Sequence, residues 1–179
     1  ALGEAFDKTA KLLGIEFPGG PQIEVLAKKG DPNKFKLPLP IISKGGCNLS
    51  FAGLKTAVLK IAKNIKNEND KYNLAASFQK TIEKIIYKKS KVALDQYKKI
   101  IGNKSNKFVI AGGVAANKNI RSILTKLCEE ENFDAIFPPI EFCGDNAAMI
   151  AIAGLEKYKL NQFNELDFSA KPRWALDES

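Results

Sequence analysis

Histidine does not occur among the 179 residues. Its absence excludes, within this chain, a Ser-His-Asp triad, a Cys-His dyad, an H-E-x-x-H zinc site and imidazole general-base chemistry. Cysteine is scarce and odd in number: Cys47, Cys128 and Cys143 form no C-x-x-C pair. Neither a zinc ribbon nor a disulfide framework is indicated, and buried thiols in a reducing compartment are expected. Long apolar runs are missing too. The best window, Ala147 to Leu155, contains Gly154 and falls far short of the roughly 20 residues that cross a bilayer. The expectation is a soluble, cytoplasmic protein with no membrane partner. The first residues, ALGEAFDK, lack the basic start and apolar centre of a signal peptide and read as the interior of a helix, so a fragment is expected.

With 45% hydrophobic residues, the chain can bury one substantial core, and its length fits one compact domain with a tail. The net charge of +8 suits a polyanionic partner. That charge is nearly all lysine, scattered along helices beside Asn-rich stretches such as KNIKNENDKYN. Solvated helix faces and a nucleic-acid footprint both account for it.

The stretch KFVIAGGVAANKNIRSILTKLC, Lys107 to Cys128, organises the chain. Phe108, Val109 and Ile110 form a short run of buried-strand type, and Gly112 and Gly113 break it. Ile120, Ile123, Leu124, Leu127 and Cys128 then share one helical face. Two adjacent glycines permit positive φ and remove the Cβ atoms that keep a ligand off the backbone, and a helix start offers unpaired N–H groups. Close strand–helix packing explains the same pair without a ligand.

In chain order, residues 3 to 13 read as a helix with Phe6, Ala10 and Leu13 inward and Gly14 as its stop. Glu4, Asp7, Lys8 and Lys11 share its polar face, at spacings that permit Glu4–Lys8 and Asp7–Lys11 pairs. Asp7 is either part of that face or an acceptor for ribose hydroxyls. FPGGP at 17 to 21 predicts a tight non-helical connection, in which the second glycine, Gly20, either serves plain turn chemistry or lets an adenine approach the backbone. A short helix over 22 to 29 follows, started by Pro21 and stopped by Gly30. Residues 31 to 46 read as an edge strand or surface segment, because Pro38 and Pro40 interrupt it. Cys47 to Phe51 is a possible strand, and 53 to 65 a helix with Leu54, Ala57, Val58, Ile61, Ala62 and Ile65 inward. Lys55 and Thr56 either meet phosphate or face solvent. A polar linker, 66 to 71, precedes a long helix from Asn73 to Ile101, with Phe78, Ile82, Ile85, Ile86, Ala93, Tyr97 and Ile100 in its stripe and a lysine-rich outer face. A helix over 117 to 130 and a strand over 133 to 137 come next. Asp145 stands where an N-cap belongs, before a helix from Asn146 to about Tyr158 that is apolar nearly all round and expected to be buried. Its carboxylate also suits a hard or borderline metal ion, though one ligand makes no site. Trp174 is expected to pack on the core.

Six ordered blocks carry a resemblance: GEAFDK at 3 to 8, FPGGP at 17 to 21, SFAGLKT at 50 to 56, AGGVAAN at 111 to 117, EFCGDNAAMIA at 141 to 151 and PRWAL at 172 to 176. Together they resemble the universal tRNA threonylcarbamoyladenosine transferase family, bacterial form TsaD, once described as an O-sialoglycoprotein endopeptidase. The resemblance implies an α/β fold, the C-terminal lobe of the actin-like ATPase (ASKHA, ribonuclease H-like) fold, helix-rich with a small mixed sheet and without its N-terminal lobe. It implies Asp7 for a ribose, Gly19, Gly20, Gly112 and Gly113 for the nucleotide, Asn117 for the same ligand, and Asp145 for a divalent metal (iron, zinc or magnesium). Two further metal ligands are histidines of the N-terminal lobe, in keeping with their absence here. The implied reaction is acyl transfer from threonylcarbamoyl-adenylate to N6 of the adenine beside the anticodon, releasing AMP; no residue is an evident general base. The implied partners are tRNA, a paralogous inactive family member and a small ATPase. Ala52 stands where the family usually has Ser, Gly144 where it has Thr, and Ala175 where it has Pro. An actin-like metabolite kinase lobe and a non-catalytic interaction module are the alternatives, while no nucleophile, base or metal pair supports a protease.

Overall fold

A computed structural model describes residues 1–40, 45–102, 105–167, 169–171 and 175. The expected packing of Trp174, most of the PRWAL block and part of the proline-interrupted segment lie outside the described residues. The chain falls into two compact units, Ala1–Gly144 and Asp145–Ser179. Each is described by itself.

The first unit is helix-rich α/β. It runs α1 (Leu2–Leu12), α2 (Gly19–Ala27), α3 (Ala52–Ala62), α4 (Glu68–Ile101), β1 (Lys107–Val109), a 3-10 turn (Gly113–Ala116), α5 (Lys118–Glu131), β2 (Asp134–Ile136) and a second 3-10 turn (Ile140–Phe142). The long helix α4 is the spine, with α2, α3 and α5 packed along it and α1 against α2 and α3. Its apolar stripe supplies Leu74, Phe78, Ile82, Ile85 and Leu94 to one continuous core, where Phe78 meets Phe6 of α1 edge to face at 5.2 Å. The stripe stops short of its expected end, since Ile100 is 80% exposed in the last turn.

Helix boundaries follow from capping. α1 ends where Gly14 takes φ +75, the Gly14 N–H bonding the Lys11 carbonyl and the Ile15 N–H the Ala10 carbonyl, as a left-handed residue after a helix allows. α4 begins at Glu68, inside the stretch expected to be a linker. Asn67 supplies the reason: its side chain accepts the Asp70 N–H at 2.8 Å and so starts the helix a turn early. Residues 47–51 form no strand, and 45–51 run as irregular chain. Cys47 is exposed there, contrary to the buried thiol expected, whereas Cys128 and Cys143 are buried.

Residues 31–35 lie as a surface segment clipped to the spine. The Asp31 and Phe35 N–H groups donate to Asn73 Oδ1 and Ser77 Oγ at 2.8 and 3.1 Å. Gly30 permits that approach, because a Cβ on it would stand 2.1 Å from the Tyr72 carbonyl oxygen.

The sheet among the described residues is two-stranded and parallel, with Phe108 opposite Ala135, rather than the small mixed sheet expected. α5 is its crossover, as a parallel pair requires. The first strand was expected to be of buried type, but only the Phe108 and Ala135 side of the pair packs on the core, and Val109 is 64% exposed. Alternation puts Val109 and Ile136 on the opposite face, where both are exposed.

In the second unit, α6 (Ala147–Lys159) was expected to be buried, yet it has no buried residue. Met149, Ile150, Ile152 and Leu155 are all exposed. Periodicity records that a helix is apolar all round but not whether anything covers it. Its N-cap is Asn146, whose side chain accepts the Met149 N–H at 3.0 Å, and not Asp145. No helix among the described residues is long and apolar enough to cross a membrane.

Candidate functional site

Three stretches far apart in sequence meet at one cavity of about 620 Å³ in the first unit. The start of α1 brings Gly3, Phe6 and Asp7; the Phe17–Glu24 corner brings Gly20 and Pro21; the glycine turn brings Gly113, Val114, Ala116 and Asn117. Lys118, Ile140 and Gly144 complete the lining. Clefts of roughly 300–1,000 Å³, mainly apolar with a few polar groups, take small organic ligands. A shallower groove of about 300 Å³ along α4, beside Lys80, Lys84 and Lys88, has ordinary charged walls and no converging chemistry.

The two glycines of FPGGP do different jobs. FPGGP was expected to be a non-helical connection, but Gly19 and Gly20 are the first two residues of α2. A Cβ on Gly19 would lie 2.6 Å from Ala10 Cβ and 2.9 Å from Asp7 Cα, so its bareness serves the α1–α2 contact. A Cβ on Gly20 would meet nothing within 4 Å, and Gly20 faces the cavity. Gly113 repeats that pattern, open at Cβ and lining the cavity. Gly112 does not line it; at φ +89 it makes the bend that brings Gly113 round.

Asp7 belongs to the cavity rather than to the expected pair with Lys11. Its Oδ1 accepts the Gly19 N–H at 3.0 Å, holding the otherwise unpaired start of α2. Oδ2 has no hydrogen-bond partner among the described residues and stays available to a ligand. On the same face of α1, Glu4 pairs with Lys55 at 2.7 Å rather than with Lys8, which assigns Lys55 to an ion pair.

Asn117 lines the cavity while its amide braces the wall. Oδ1 accepts the Ile120 N–H at 3.0 Å as the cap of α5, and the amide exchanges two hydrogen bonds with Gln79 of the spine at 3.1 and 3.2 Å. The start of α5 was expected to offer unpaired N–H groups. One is taken by Asn117, and the Lys118 N–H donates to Glu24 Oε1 at 3.1 Å. Glu24 was absent from the expected site. Its spacing of one helical turn from Gly20 was the available signal, since residues i and i+4 share a helix face. The cavity therefore carries two carboxylates, Asp7 and Glu24.

Asp145 belongs to the second unit, and its carboxylate, freed from capping, has no partner among the described residues. No three His, Cys, Asp or Glu side chains gather as a metal-holding group among the described residues. One carboxylate does not hold a metal, so these residues do not fit one by themselves.

Residues 1–152 match the family model TsaD, tRNA N6-adenosine threonylcarbamoyltransferase. A protein of that name from Pelagibacter ubique (strain HTCC1062) is 75% identical over 177 residues, which is 99% of this chain and 50% of the relative. Its namesakes from Rickettsia rickettsii (strain Sheila Smith) and Rickettsia bellii (strain OSU 85-389) are 52% and 49% identical, each over 99% of this chain and 53% of the relative. The chain thus spans about half the length of the curated relatives it matches, and it belongs to the TsaD family of tRNA N6-adenosine threonylcarbamoyltransferases.

Proposed function

We propose that this chain is the nucleotide-holding half of a tRNA threonylcarbamoyl transferase, the C-terminal lobe of an actin-like ATPase fold, and that its cavity binds the AMP portion of threonylcarbamoyl-adenylate. The observation that carries the reading is the convergence of Asp7, Gly20, Gly113 and Asn117 on one cavity, with both glycines open at Cβ. A flat base can lie against such bare backbone, where any side chain would hold it off.

The charges favour a nucleoside portion at the acidic wall. A phosphate beside Asp7 and Glu24 would meet like charge, whereas ribose hydroxyls donate to carboxylates. In the transfer, N6 of the tRNA adenine attacks the carbamoyl carbon, the bond from that carbon to the phosphate oxygen breaks, AMP departs and N6 loses a proton. The role of this half is to hold the leaving group in one orientation while that bond breaks. Asp145 is proposed as its single ligand to a divalent metal. tRNA is the proposed macromolecular substrate, with the inactive paralogue and the small ATPase as proposed partners in the cytoplasm.

The test is titration of AMP into the full-length protein by calorimetry, alone and as Asp7→Asn. Saturable binding that the variant weakens supports the reading; no AMP binding, or binding indifferent to Asp7, overturns it.

A further inference from the structure

Of 28 basic residues only two, Arg121 and Arg173, are arginine. Where lysine serves almost everywhere, an arginine in the first turn of α5 answers a need that a point charge does not meet. Helix polarity does not explain it, because a cation near a helix N-terminus opposes the macrodipole. Its contacts do. Nε donates to the Ala115 carbonyl at 2.5 Å, and Nη2 donates to the Pro138 carbonyl at 2.6 Å while lying 3.2 Å from Cys143 Sγ. The guanidinium also stacks 4.8 Å from the centroid of Phe137.

These partners lie on two separate stretches of chain. Ala115 is inside the glycine turn, between the cavity-lining Val114 and Ala116. Pro138 and Cys143 bracket Ile140 and precede Gly144, which line the cavity from the loop after β2. Arg121 bonds both stretches and does not itself line the cavity.

We propose that Arg121 is a positioning residue of the nucleotide site, its planar guanidinium holding the glycine turn and the 138–144 loop at the separation the adenylate requires. The inference rests on the adenylate reading of the cavity. Lysine does not replace it: the guanidinium reaches the two carbonyls from two separate nitrogens while its plane lies on Phe137, whereas an ammonium concentrates its donors on one nitrogen and has no plane to stack.

The test uses the full-length protein with Arg121→Lys and Arg121→Ala, AMP titration, and steady-state tRNA modification. For Arg121→Lys, the AMP dissociation constant and the KM for threonylcarbamoyl-adenylate are expected to rise about tenfold, as for one lost charge-assisted hydrogen bond. The KM for tRNA and the thermal midpoint should stay near those of the parent. Methylguanidinium, but not methylammonium, should restore AMP binding to Arg121→Ala; if that variant does not fold, Arg121→Lys alone decides. Parent-like AMP affinity in Arg121→Lys overturns the proposal. So does a decline of adenylate and tRNA parameters together, in step with loss of folded protein, which marks a general structural role. If the parent protein binds no AMP, the adenylate reading itself falls and this inference with it.

Discussion

Asp7 and Gly19 meet where α1 turns into α2: Asp7 Oδ1 accepts the Gly19 N–H at 3.0 Å, and a Cβ on Gly19 would stand 2.9 Å from Asp7 Cα. One contact thus fixes both the start of α2 and the direction in which the remaining oxygen of Asp7 is held. A stability requirement sits beside a binding group, and the two separate by mutation.

Gly19→Ala should destabilise the protein by about 1–3 kcal/mol, because the added methyl is forced against α1. Gly20→Ala should leave the unfolding midpoint near the parent value and weaken AMP binding, since its methyl enters only the cavity. Paired urea titrations and AMP calorimetry check this; equal destabilisation by both would contradict the division of labour between them.

Gly30→Ala should be the most damaging of the glycine substitutions. Its methyl would meet the backbone carbonyl of Tyr72 at 2.1 Å, which no rotamer relieves, and a loss of about 3 kcal/mol or more follows. Chemical denaturation reads it directly, and a change below about 1 kcal/mol would show that the 28–31 turn can lift off α4.

Asn117→Ala should lower stability without any ligand present. It removes the cap of α5 and leaves the buried Gln79 carbonyl without the Asn117 donor, together about 2 kcal/mol or more. A parent-like midpoint with weakened AMP binding would instead make Asn117 a ligand contact alone.

Glu131, at the end of α5, accepts from Lys91 at 2.6 Å and Lys98 at 2.7 Å, two residues of the spine. Hydrogen bonds from Lys91 and then Lys98 bring its carboxyl from an ordinary 4.5 to about 2. A carboxyl depressed in the folded state stabilises fully above its unfolded value and progressively less below it. The Glu131 contribution should therefore be intact above pH 4.5 and fade as pH falls toward 2. Thermal midpoints across that range should fall less steeply for Glu131→Gln than for the parent, and parallel slopes would count against the clamp.

Much of the helical framework was legible in the sequence. Phe6, Ala10 and Leu13, then Phe78, Ile82 and Ile85, recur at helical spacing, and the glycine turn stands out because two adjacent residues lack Cβ. Periodicity is a local property, so it survives without knowledge of the fold. Asp7, Gly20 and Asn117, which the resemblance implied for a nucleotide, line one cavity. What the sequence alone determined, then, was which segments are helices, where the chain must bend and which residues are candidates for a site.

Only the tertiary structure decided how those candidates divide. Gly19 and Gly20 are neighbours of identical type, and only the position of α1 makes one a packing glycine and the other a cavity glycine. Glu24 enters the site by reaching the Lys118 N–H, 94 residues away, and Asn117 is braced by Gln79, 38 residues away. The exposure of Cys47, Val109 and α6 was hidden for the same reason. A side chain's burial depends on what packs over it, and that is set by contacts between distant segments, not by the spacing of neighbours along the chain.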